Sequence, residues 1–192
     1  MKLVFATHNH NKAREIQTLV PSEIKILTLD EIQCNEEIPE TEKTLEGNAQ
    51  LKAQYIVDHF DLNCFADDTG LEIEALNGEP GVYSARYAGE ERNADDNMNL
   101  VLKKLEAITN RKARFRTVIA LFWEGNMHLF EGIVNGKIIH EKRGTDGFGY
   151  DPIFVPEEGD KTFAEMSLSE KNKISHRARA MSKMIDFLKK NV

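Results

Sequence analysis

The stretch Leu3-Val-Phe-Ala-Thr-His-Asn-His-Asn-Lys-Ala-Arg-Glu-Ile-Gln-Thr-Leu-Val20 decides the fold class. Its first four residues form a continuous apolar run, the mark of a short buried strand. Ala13, Ile16, Leu19 and Val20 then recur at helical spacing, so a helix follows that strand almost at once. The same alternation continues down the chain. Ile24 to Leu27 reads as a strand, and Leu45, Ala49, Lys52, Ile56 and Phe60 mark one face of a long helix starting near Thr44. Cys64 to Ala66 reads as a strand, and Leu71, Ile73 and Ala75 alternate like a second, half-buried one. A helix carries Met98, Val101, Leu102, Leu105 and Ile108. A strand runs from Phe115 to Trp123, and Gly125-Asn126 and Asn135-Gly136 punctuate a meander through Ile139. Ile153 to Val155 is a short strand, and Ile174, Ala178, Met181, Ile185 and Leu188 stripe a C-terminal helix. Interspersed strands and helices with a hairpin-rich middle predict an α/β fold with a mixed central sheet flanked by helices.

Size and charge narrow the function. The 192 residues suit a single domain spanning 1–192, or one domain with two lobes, with a core of its own. A formal net charge of −7 argues against binding a nucleic-acid polymer, which needs a basic surface. A small polyphosphate stays within reach if cations are gathered locally and Mg²⁺ offsets the rest. The only cysteines, Cys34 and Cys64, form no Cys-x-x-Cys pair, which points to a reducing compartment. The N-terminal apolar run is too short for a signal peptide, and no segment approaches the ~20 apolar residues of a membrane span. A cytoplasmic protein without a membrane partner is the expectation.

Five clusters could carry chemistry. Gly144-Thr-Asp-Gly-Phe-Gly-Tyr-Asp-Pro-Ile-Phe154 combines glycines that permit tight turns, aromatic faces and a carboxylate at Asp151. It reads as a socket for a planar polar ring, or as an ordinary glycine-rich loop between strands. Thr7, His8, Asn9, His10, Asn11 and Lys12 occupy a strand exit and helix entry, where unpaired N–H groups suit a phosphate. The competing reading is that Asn9 or Asn11 caps the helix. His8 and His10 read as solvent-facing rather than as metal ligands. Asp67-Asp68-Thr69-Gly70 places two carboxylates side by side. Neighbouring residues of a strand point to opposite faces, so both serve one site only at a frayed strand end, which Thr-Gly indicates. Such a pair attracts Mg²⁺ or leaves one member as a general base. Glu36 to Glu46 is an acidic stretch from which one carboxylate could reach the same metal. Lys171, Lys173, Arg177 and Arg179 crowd the entry of the last helix, where cations are disfavoured unless an anion or an electron-rich ring lies beside them.

Taken in order, these clusters resemble the inosine triphosphate pyrophosphatase family, which cleanses the pool of noncanonical purine nucleotides. The likeness rests on Thr7-x-Asn9-x-x-Lys12, Glu40-Thr41, Asn48-Ala49 with Leu51-Lys52-Ala53, and Ala66-Asp67-Asp68-Thr69-Gly70-Leu71. It continues through Pro80-Gly-Val-Tyr-Ser-Ala-Arg-Tyr87, Gly147-Phe-Gly-Tyr-Asp-Pro-Ile-Phe154, and Lys171 with Ser175-His176-Arg177. The resemblance implies a two-lobed fold with a cleft, a homodimer, and hydrolysis of inosine, deoxyinosine and xanthosine triphosphates to monophosphate and pyrophosphate. It further implies that Thr7 to Lys12 grip the triphosphate, with Lys52 and Arg86 as further cations. Asp68 becomes the proton acceptor and a Mg²⁺ ligand, with Glu40 and Asp67 nearby, and Thr69 contacts substrate. Phe148, Gly149, Tyr150 and Asp151 cradle base and sugar, and Lys171, His176 and Arg177 hold the base. An Arg177 fork donating to a 6-oxo group would meet a 6-amino donor on adenine unfavourably, giving selection by hydrogen-bond polarity. Two rival readings are a Maf-like pyrophosphatase for modified pyrimidine nucleotides and a nucleotide sensor without turnover.

Overall fold

The computed structural model describes residues 1–191 as a mixed α/β protein. In chain order its elements are β1 (Lys2–Phe5), α1 (His10–Gln17), β2 (Lys25–Leu27), α2 (Leu45–Phe60), β3 (Cys64–Ile73) and α3 (Ala94–Lys104). There follow β4 (Lys112–Trp123), β5 (Asn126–Ile138), β6 (Phe154–Pro156), α4 (Leu168–Ile174) and α5 (His176–Asn191), with short 3-10 turns between them. The six strands form one sheet in the order β2-β1-β3-β4-β5-β6. β1 lies parallel to β2 and to β3, while β5 and β6 are antiparallel, so the sheet is mixed.

The chain divides into two compact units, and three strands contribute to both. The first comprises Met1–Asp68, Thr117–Gly132 and the chain from Arg177. Its core joins Leu3 and Phe5 of β1 to Ile16 of α1, Phe65 of β3 and Met181 of α5, and Phe5 stacks on Phe65 at 4.6 Å. The second comprises Thr69–Arg116 and Ile133–His176. It packs Leu71, Val101, Phe115, Phe154 and Phe163 together, with Phe115 edge-on to Phe154 at 4.7 Å. Each core is built from buried apolar side chains, and their burial supplies the main favourable term in folding.

Helix starts follow local chemistry. Asn9 caps α1, Thr44 caps α2 through Gly47 N, and Asn93 caps α3, each accepting bonds from amides that a first turn leaves unpartnered.

Three sequence expectations need correction. Asp67 and Asp68 do not mark a frayed strand end, because β3 continues without interruption to Ile73. Gly70 permits this. A Cβ there would come within 2.7 Å of the Gly81 carbonyl oxygen, so the glycine marks a close backbone approach rather than a stop. Asn135-Gly136 is likewise no turn but lies inside β5, where a side chain on Gly136 would run into Phe154 and the Val155 carbonyl of β6. The C-terminal stripe is two helices, not one. Ser175 takes an extended conformation between α4 and α5, so Lys171 and Lys173 sit in a last helical turn, where cations are favoured.

Candidate active site

The first unit buries a charged cluster around β3. Because β3 is continuous, its two aspartates face different partners. Asp67, fully buried, accepts from Lys12 Nζ at 3.0 Å through Oδ1 and from Arg177 Nε at 3.2 Å through Oδ2. Arg177 in turn pairs with Glu15 of α1 through Nη1. The result is an alternating row, Lys12–Asp67–Arg177–Glu15, with the last three members buried. Burial pushes the Asp67 carboxyl up, but Lys12 and Arg177, with Lys52 behind them, outweigh it and hold the group far below the usual carboxylate range.

Asp68, 6 % exposed, has a different environment. Its Oδ2 accepts from Asn48 Nδ2 at 3.1 Å, and the Asn48 Oδ1 accepts from Glu42 N at 2.9 Å, which fixes the orientation of the amide. Burial raises the Asp68 carboxyl above its ordinary value. Lys52 and Lys12 oppose that rise and Glu40 reinforces it. Lys52, buried on α2, pairs with Glu40. Two adjacent acids are thus driven apart in proton affinity, one held ionised and one left basic.

Glu40, Asp67 and Asp68 are hard oxygen donors of the kind Mg²⁺ prefers. Burial is the main cause of the raised Asp68 carboxyl, with the Glu40 charge adding to it, and a divalent cation would relieve both. Asp67 has each oxygen engaged by a cation. Among the described residues no three His, Cys, Asp or Glu side chains converge as a complete metal cage. A Mg²⁺ needs only one or two protein carboxylates when phosphate oxygens and water complete its shell, and Glu40 and Asp68 would be the candidates.

At the α1 entry, Asn9 Oδ1 accepts from Asn11 N and Lys12 N, and Thr7 Oγ1 accepts from Asn9 N. The loop is therefore self-organised, with two helix amides engaged by the cap. His8, Asn9, His10 and Asn11 are exposed, and His8 donates to the Glu36 carbonyl at 3.0 Å.

The second unit gathers the glycine loop with the end of α4. Asp151, 2 % exposed, accepts from Phe148 N at 2.9 Å and from Lys171 Nζ at 2.6 Å, both through Oδ2. The buried Lys171 ammonium lies 4.9 Å from the Phe148 ring centre and 5.5 Å from that of Phe163, a cation held between two aromatic faces. Gly147 and Gly149 both have positive φ, which glycine alone adopts without strain. Phe148 and Gly149 are partly exposed. Tyr150 is not: its ring belongs to the core at 4 % exposure, and its hydroxyl donates to the Ser84 carbonyl at 2.8 Å. His176 is also buried, stacked on Phe115 at 4.6 Å. Thr69 and Arg86 are half-buried, with Arg86 over the Tyr83 ring.

Sequence reasoning missed Glu15 and gave Asn48 no role. Glu15 stands on a helix among Lys and Arg and reads as a solvated acid, since its partner is 162 residues away. Asn48 carried a readable signal, sitting one turn before Lys52 on the same helix.

Fold and site define a class, a mixed α/β protein whose strand-borne carboxylates, met by lysine, arginine and asparagine, suit an anionic substrate. Comparisons with known proteins make this specific. The model of the Ham1 family matches residues 3–187. The chain is 60 % identical over 188 residues to the dITP/XTP pyrophosphatase of Flavobacterium johnsoniae, covering 98 % of each chain. It is 53 % identical to the enzyme of the same name from Porphyromonas gingivalis, covering 97 % of each. The Staphylococcus aureus Ham1 protein superposes with a TM-score of 0.91 at 38 % identity, with complete coverage of both chains. This chain belongs to the Ham1 family.

Proposed function

We propose that this chain hydrolyses noncanonical purine nucleoside triphosphates (ITP, dITP and XTP) to the monophosphate and pyrophosphate. The identity to relatives named dITP/XTP pyrophosphatase supports the substrate class. The observation that carries the chemistry is the divergence of two neighbouring acids, Asp67 held ionised by Lys12 and Arg177 and Asp68 made basic by burial.

In this reading Asp68 accepts a proton from a water whose oxygen attacks the α-phosphorus. The bond from that phosphorus to the bridging oxygen breaks, and pyrophosphate leaves with the bonding electrons. Asn48, by donating to Asp68 Oδ2, fixes the orientation in which the carboxylate meets the water. Lys12 and Lys52 balance charge on the phosphates, each exchanging some of its present carboxylate contact for phosphate oxygen. Glu40 and Asp68 would hold Mg²⁺, which when bound supplies charge neutralisation for the triphosphate. Thr7 to Asn11 and Arg86 serve the phosphates, and Thr69 contacts substrate. Phe148 to Asp151 with Lys171 and His176 serve sugar and base, while Arg177, buried against Asp67 and Glu15, acts by holding Asp67 ionised rather than by reaching the base itself. Within that group Phe148 offers the accessible ring, whereas Tyr150 and His176 support it from the core. A homodimer working in the cytoplasm completes the proposal. Among the described residues no helix is long and apolar enough to cross a membrane.

The test is a nucleotide panel with products resolved as pyrophosphate or orthophosphate, run with and without Mg²⁺. Rapid pyrophosphate release from ITP, dITP and XTP, with ATP and GTP turned over slowly, is the expected result. Preference for methylated pyrimidine triphosphates, or binding without turnover, would replace the proposal with one of its two rivals. Asp68→Asn should lower kcat by ~10²–10⁴ while leaving nucleotide affinity within a few-fold. Near-normal turnover would remove Asp68 from the role of base.

A further inference from the structure

The glycine loop that carries Phe148 is closed on itself by the Phe148–Asp151 bonds and is also tied from outside. Its anchor is a turn at Thr162–Glu165, which the proposed chemistry does not use. Thr145 N and Asp146 N both donate to the Ala164 carbonyl, at 3.1 and 3.0 Å. Gly144 passes so close to that carbonyl, with φ +85, that a Cβ would overlap it. Thr162, fully buried, donates its hydroxyl to the Arg143 carbonyl at 2.8 Å. Arg143 Nη2 then returns to the Asp160 carbonyl at 2.8 Å and to Glu165 at 3.4 Å. The turn is tied together by bonds of its own. Thr162 and Glu165 form a reciprocal capping box, with Thr162 N donating to Glu165 Oε2 at 2.7 Å.

We propose that the Thr162–Glu165 turn is a positioning element that sets base affinity and selectivity by templating the loop that bears Phe148 and Asp151. This rests on the reading above that Phe148 to Asp151 serve the base. The physical reason is that a loop with three positive-φ glycines has many conformations available when unbound. Ordering it at the moment of binding would weaken affinity, and prior fixation by bonds to Ala164 and Arg143 removes that penalty. Neither Thr162 nor Glu165 needs to touch substrate. Their loss acts on KM and on discrimination between bases, not on the phosphate chemistry governed by Asp68.

Thr162→Val keeps the shape and removes the hydroxyl donor to Arg143. Steady-state kinetics on ITP and ATP should show KM for ITP rising about tenfold with kcat within twofold, and the ITP-to-ATP preference narrowing by a similar factor. Thr162→Ser, which retains the hydroxyl, should stay close to wild type. Glu165→Ala changes an exposed residue and so keeps the overall fold, and it should shift KM in the same direction. Amide hydrogen exchange in segment 144–149 should accelerate in both Thr162→Val and Glu165→Ala. Unchanged KM and preference in both variants, or unchanged exchange across 144–149, would overturn the inference. If wild type shows no preference for ITP, the functional reading fails instead, and the exchange measurement still decides whether the turn templates the loop.

Discussion

Arg177 shows how much a single side chain can be asked to do. Its Nε and Nη1 already donate to Asp67 and Glu15, and it is 1 % exposed, so it neutralises two buried carboxylates at once. Burial lowers its proton affinity, but Glu15 and Asp67 more than restore it, so the guanidinium stays charged. A lysine could supply the charge but not the planar fork that spans two acids. Arg177→Lys should therefore lose about 3–5 kcal/mol of unfolding free energy, because one buried carboxylate is left without its partner. Urea titration checks this. A loss below about 1 kcal/mol would mean that water or another cation already satisfies Glu15. Adding Glu15→Gln to Arg177→Lys should recover part of the loss, since the amide carries no charge to strand.

Among the elements, the glycine loop and β3 are the places where local sequence and final geometry part company. Gly147 has φ +74, and a Cβ on it would collide with the Asp151 carboxylate that accepts from Phe148 N and Lys171. Gly149, at φ +61, has open space where its side chain would be. Gly149→Ala should cost only the left-handed strain of about 1–2 kcal/mol. Gly147→Ala adds the displacement of a buried ion pair and should be clearly less stable in thermal denaturation. Equal losses would show that the Asp151–Lys171 pair adapts freely. The loop was legible as a tight turn because its glycines advertise it, and the α1 and α2 caps were legible because capping is local. Asp67 and Asp68 were legible as important, but not as members of an unbroken strand. Gly70 reads as a breaker until the Gly81 backbone packs against it, and that contact is set by tertiary structure. The split of the last helix at Ser175 escaped notice because the apolar stripe runs through both halves.

For the molecule as a whole, the paired acids make opposite contributions to stability, and this is testable through pH. Asp67 titrates well below the ~3.9 expected of an unfolded aspartate. Below that value the unfolded chain takes up a proton that the native site refuses. The stabilisation from Asp67 is therefore complete above about pH 5 and fades as pH falls further. Asp68 is the reverse case. Its native carboxyl is raised, so the folded state holds its proton more tightly, and burying the ionised form at neutral pH costs stability. That cost vanishes below the unfolded value and is paid in full once pH rises past the native one. Asp67→Asn should thus lower the unfolding free energy at pH 7 by about 3–5 kcal/mol, since Lys12 and Arg177 lose their shared acceptor, and should flatten the acid limb of the stability profile. Asp68→Asn should leave the protein at least as stable at pH 7 while abolishing most turnover, the trade expected where a site keeps a charge for chemistry rather than for folding. Urea titrations of wild type and both variants between pH 4 and 8 read the two effects together. A less stable Asp68→Asn beside an unaffected Asp67→Asn would invert the assignment of base and anchor, and the hydrolytic role would pass to Asp67.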